Sequence, residues 1–146
     1  GPVMAASDRF IIEVEGRGGH AARPHHSIDP LIAAAQVAVS LQGIVARRVD
    51  PLESAVLSIT QFHSGTADNV IPDTAVLRGT VRTLKPHLQD QMETMLAEVA
   101  EQAARTYGAV AKTSYTRGYP PVVNADDPTL VGAAAASCTV GEESVL

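Results

Sequence analysis

The chain has 146 residues and a mass of 15.2 kDa, room for one compact domain and not for two. It is 45 % apolar with no Trp and only 3 % aromatics, so its core must be built from aliphatic side chains, alanine prominent among them. A net charge of −5 argues against nucleic acid and anionic membranes as partners, and a single cysteine, Cys138, excludes an internal disulfide and a four-cysteine zinc site, which fits a reducing, cytoplasmic setting.

No apolar run reads as long enough to span a membrane, and Gly1 to Ser7 lack the charged start of a signal peptide. The opening on Gly1-Pro2 and the close on Glu142-Glu143-Ser144-Val145-Leu146 read as cut ends of something longer. From Asp8 to Gly16 the sequence alternates, with Phe10, Ile12 and Val14 on one face and Glu13 and Glu15 on the other, which predicts a half-buried first strand. A loop rich in glycine and histidine follows, then Asp29-Pro30, an N-cap with proline at the first helical position. The first helix is expected over about 29–48, with Leu31, Ala34, Ala35, Ala38, Leu41 and Val45 as its apolar stripe.

Residues 54–63 are β-rich and uncharged and predict a second strand. Residues 75–83 alternate cleanly, Ala75, Leu77, Gly79 and Val81 inward and Val76, Arg78, Thr80 and Arg82 outward, as a third strand does. Pro86 opens a second helix to about residue 107, its stripe running through Leu88, Met92, Met95, Val99 and Ala103 to Gly108, placed for a left-handed C-terminal cap. Residues 110–117 form a weaker fourth strand ended by Tyr119-Pro120-Pro121, and a short helix is expected from Thr129 to Ser137.

The order βαββαβ over residues 8–118 is the ferredoxin-like arrangement, an α+β fold of a four-stranded antiparallel sheet with two helices on one face and strands one and three in the middle. The fourth strand carries Lys112 and Arg117, whereas residues 54–62 hold no charge, proline or glycine to protect an edge. That edge predicts either pairing with a second copy across a two-fold axis or a covering loop or domain.

Three of the five histidines, His20, His25 and His26, share one loop with Asp29 nearby, but flanking Arg17 and Arg23 repel a divalent cation and no self-contained metal site is expected. No nucleophile elbow and no phosphate-binding loop is present in the sequence. His20 after a Gly-Gly turn, Asn69 before Val70-Ile71-Pro72, and Arg82 each have a plain structural reading: a loop residue, a turn residue and a solvated strand face. Together they make a hydrogen-bond donor, an amide and a bidentate cation that can grip a carboxylate and polarise a carbonyl, with nothing to activate water.

Gly18-Gly19-His20-Ala21-Ala22-Arg23-Pro24-His25 leading to Ile28-Asp29-Pro30, Phe62 through Asn69-Val70-Ile71-Pro72-Asp73, and Arg78-Gly79-Thr80-Val81-Arg82-Thr83 occur in that order. These stretches resemble the lid or dimerisation domain of the zinc-dependent amidohydrolases and exopeptidases, nearest the branch that acts on N-acyl amino acids. The resemblance covers nearly the whole chain. It implies a linker from an absent catalytic domain over residues 1–7, the lid over 8–118, and a return toward that domain over 119–146. It further implies two divalent ions, zinc or manganese, caged by residues outside this chain, with Glu142-Glu143 no part of the cage. His20 would reach into the partner subunit's site to polarise the scissile carbonyl, while Asn69 and Arg82 would contact substrate, Arg82 holding the amino-acid carboxylate. Arg23 stands where some relatives have an aromatic. The expected homodimer forms through strand 54–62 and the neighbouring helix. The alternative is a stand-alone ferredoxin-like module for ligand binding or oligomerisation.

Overall fold

The computed structural model describes residues 1–145. Four strands, β2 (Asp8–Glu15), β4 (Ala55–Ser64), β6 (Thr74–Thr83) and β7 (Val110–Thr116), make one antiparallel sheet in the order β4-β6-β2-β7. Helices α1 (Pro30–Arg48) and α2 (Pro86–Arg105) lie side by side on one face of it. The ferredoxin-like expectation holds, with the first and third strands of the sequence reading in the centre.

Strict alternation is what builds the two faces. Phe10, Ile12 and Val14 of β2 and Ala75, Leu77 and Val81 of β6 are buried under the helices, while Glu13 and Arg78 face solvent. Leu88, Met92, Leu96 and Ala100 of α2 close the core from above. The helix ends where Gly108 takes a left-handed φ of +75°, as its position predicts.

In α1 the expected stripe is out of phase. The buried set is Pro30, Ala33, Ala34, Val37, Leu41 and Ile44, while Leu31 is 39 % exposed and Ala35, Ala38 and Val45 are only half-buried. The helix has no charge between Pro30 and Ala46, so periodicity alone leaves its rotation open by about one residue. Asp29 fixes the start, its carboxylate accepting from the backbone N–H of Leu31 (2.9 Å) and Ile32 (3.4 Å). The same lack of charge corrects a second expectation: α1 is long and apolar enough to cross a membrane by length and composition alone. Its buried side packs on the sheet and on α2, the position of a core helix.

Strand β4 pairs only with β6 among the described residues, so its other side is an open edge. A β-bulge at Thr60 interrupts it, shifting the register from Ile59 opposite Gly79 to Gln61 opposite Arg78. Short strands that the sequence did not announce complete the fold. Strands β1 (Pro2–Met4) and β8 (Val122–Val123) pair with each other, as do β3 (Gly19–His20) and β5 (Val70–Ile71). Helix α3 (Asp126–Val140) is longer than expected and buries none of its residues.

Candidate functional site

The glycine-rich loop is shaped by close backbone approach. A Cβ on Gly18 would stand 2.6 Å from the carbonyl oxygen of Ile71, so only glycine lets the loop lie against β5, and the Gly18 N–H donates to Asp73 at 2.8 Å. That contact sets the β3–β5 ribbon, in which His20 stands opposite Val70 and the Ala21 N–H donates to the Asn69 carbonyl at 3.0 Å. His20 and Asn69, 49 positions apart in sequence, are thereby neighbours in an exposed ribbon.

The His20 Nδ1 accepts the Ala22 N–H at 3.1 Å, which leaves the ring proton on Nε2. An exposed Nε2–H at the tip of a ribbon is a donor without a partner among the described residues, suited to a carbonyl brought to it. Beside the ribbon lies a hollow of about 560 Å³, lined by Ala21, Asp29, Ser64, Asp68, Ile71 and Pro72.

Arg82 is not part of this cluster. It lies on the uncovered face of β6 near the Thr83 end, whereas the ribbon adjoins the Thr74 end; the strand rise sets Arg82 and Thr74 about 26 Å apart. Its Nη1 donates to the carbonyls of Val81 (2.9 Å) and Asp8 (3.3 Å) and to the Thr80 hydroxyl. With Arg9 and Arg78 it lines a groove of about 520 Å³ that also includes Thr60, Thr80 and Thr116. Three guanidinium groups on one sheet face make this end of the molecule attractive to anions.

The His25 and His26 rings touch with centroids 4.1 Å apart and planes tilted by 43°, and no group of three or more His, Cys, Asp or Glu converges among the described residues. The side chains present therefore do not fit a metal cage. Sequence reasoning missed another cluster, built on Asp8. Its carboxylate is fully buried and accepts from Gln89, from the Tyr115 hydroxyl and from the Gly118 N–H. Burial, and then the Asp8 carboxylate it donates to, push the Tyr115 phenol well above its ordinary range. The available signal was position: Asp8 is the next inward residue of the alternation through Phe10, Ile12 and Val14.

Residues 6–108 match the model of the M20 peptidase dimerisation domain. The chain belongs to that family. It is 45 % identical over 124 residues to the N-acetyl-L-cysteine deacetylase of Bacillus subtilis, covering 85 % of this chain and 30 % of that protein. It is also 45 % identical over 127 residues to the N-acyl-L-amino acid amidohydrolase of Geobacillus stearothermophilus, covering 87 % and 34 %. The crystal structure of the Bacillus subtilis YXEP protein, described as a dinuclear metal binding peptidase from the M20 family, superposes with a TM-score of 0.73 at 36 % identity, covering 97 % of this chain and 33 % of that one. The chain thus spans about a third of the length of these relatives. The open β4 edge and the ferredoxin-like sheet are accordingly features of a domain whose family is named for pairing.

Proposed function

We propose that this M20 dimerisation domain is the lid of a longer metal-dependent amidohydrolase that cleaves N-acyl amino acids to a carboxylic acid and a free amino acid. The supporting observation is that Arg82 and the ribbon carrying His20 and Asn69 adjoin opposite ends of β6, ends that the strand rise sets about 26 Å apart, too far for one small substrate. Strand β4 runs antiparallel to β6, with Val56 beside Arg82 and Ser64 beside Ala75. Two β4 edges paired antiparallel across a two-fold axis bring the Arg82 end of one protomer alongside the ribbon end of its partner. The separation then falls to a few strand spacings, about 15 Å, the width of a substrate cleft.

The surface around that edge fits burial in a dimer. Val56 of β4 is more than half exposed, and an apolar groove of about 330 Å³ lies between helix and strand, lined by Leu41, Val45, Ala55, Val56 and Leu57. In the assembled site His20 Nε2–H hydrogen-bonds the scissile carbonyl from the partner subunit and strengthens as charge develops on that oxygen. Asn69 adds an amide contact, and the Arg82 guanidinium holds the amino-acid carboxylate through paired N–H donors. The two divalent ions, zinc or manganese, belong to residues outside this chain, to which residues 1–7 and 119–146 are the connectors.

The experiment is His20→Ala in the full-length enzyme. Loss of one oxyanion donor is expected to lower kcat about 10²- to 10³-fold with metal content unchanged. Loss of bound metal instead would make His20 a ligand and overturn its assignment.

A further inference from the structure

Asp8 is the only fully buried charged side chain among the described residues, and no Lys or Arg side chain pairs with its carboxylate there. Its oxygens are satisfied instead by three separate parts of the chain. Gln89 Nε2 of α2 donates to both (2.9 and 2.8 Å), the Tyr115 hydroxyl of β7 donates to Oδ2 (2.7 Å), and the Gly118 N–H beyond β7 donates to Oδ1 (3.0 Å). On the opposite side of the backbone, the Asp8 carbonyl accepts from the Thr80 hydroxyl (2.9 Å) and from Arg82 Nη1 (3.3 Å).

This residue sits where both connectors meet the sheet. The Ala6 N–H donates to Thr83 (2.8 Å), the Ser7 N–H donates to Tyr119 (3.0 Å), and beyond them β1 and β8 pair as a ribbon. A second observation points to the same junction. A Cβ on Gly118 would stand 1.9 Å from the Ser7 carbonyl oxygen, so the two connectors touch backbone to backbone where only glycine fits. Burying an unpaired carboxylate is a poor way to stabilise a core, because an apolar side chain avoids the desolvation cost. What a buried acid with donors from several elements supplies is fixed geometry.

We propose that Asp8 is a positioning residue: its side chain clamps both connectors to the sheet, and its carbonyl holds the Arg82 guanidinium in place. The clamp thereby sets where Arg82 stands relative to whatever the connectors carry. Its consequence for substrate rests on the amidohydrolase reading above; the clamp itself does not.

The test has two parts. In this chain, Asp8→Asn leaves one donor without an acceptor, and Gly118→Ala forces the connectors apart from the other side. Each is expected to speed amide exchange at Ser7 and residue 118 at least about tenfold while the central amides of β2 and β6 keep their protection. Unchanged exchange at the junction overturns the clamp, and if Asp8→Asn fails to fold, Gly118→Ala and Tyr115→Phe carry the same test. In the full-length enzyme, the same variants are expected to raise KM for an N-acyl amino acid about tenfold, with little change in kcat and none for the corresponding carboxamide, which lacks the anion. Equal losses on both substrates would mean a merely structural role and overturn the positioning of Arg82. A wild-type enzyme that turns over neither substrate, with the exchange result intact, would refute the amidohydrolase reading and leave the clamp standing.

Discussion

Two aspartates at the starts of elements show how context sets the task of one side chain. Asp29 stands at the surface and caps α1, satisfying N–H groups that have no partner within the helix. Its replacement by Ala is expected to cost about 1 kcal/mol, read as a lower denaturant midpoint at unchanged slope. Asp8 is buried and ties distant segments together, and through it Tyr115 acquires a pH signature. The Tyr115 phenol is raised by burial first and by the Asp8 carboxylate second. The folded chain therefore keeps that proton above pH 10, where the unfolded chain releases it, so stability present below about pH 10 falls as pH rises further. Wild-type protein should lose stability more steeply above pH 10 than Tyr115→Phe, measured by denaturation across the alkaline range; parallel curves would contradict the assigned environment.

At the scale of elements, rotation of α1 is the sharpest expectation to check. Ile44→Ala removes a fully buried side chain and should cost about 2–5 kcal/mol, whereas Leu31→Ala, at a 39 % exposed position, should cost about 1 kcal/mol or less. The reverse ranking would restore the stripe read from spacing. Strands β2 and β6 were legible in sequence because one face is covered and the other wet, which forces polar and apolar residues to alternate. Helix α1 was legible as a helix, through Asp29-Pro30 and Arg47-Arg48, but not in its phase, because it is uncharged all round. The two-residue strands β3 and β5 carry no period to detect, and their pairing joins residues about fifty apart. His20 and Asn69 could thus be picked by type and not by neighbourhood. The Asp8 cluster escaped for the same reason, since its partners lie 81 to 110 positions away.

For the whole molecule, the proposed pairing of two copies is the organising property. Val45 and Val56 line the groove beside the open edge, so lysines at both positions place like charges across the proposed two-fold contact and should weaken self-association at least about tenfold by sedimentation. On the reading proposed above, a full site takes Arg82 from one protomer and His20 with Asn69 from the other. The most direct measurement mixes two inactive full-length variants, His20→Ala and Arg82→Ala, after dissociation and reassociation. Random pairing yields half heterodimers, each with one intact and one doubly damaged site, so the mixture should recover about a quarter of wild-type activity. If the mixture stays as inactive as its parents, His20 and Arg82 serve the same site from a single chain, and the shared-site account is wrong.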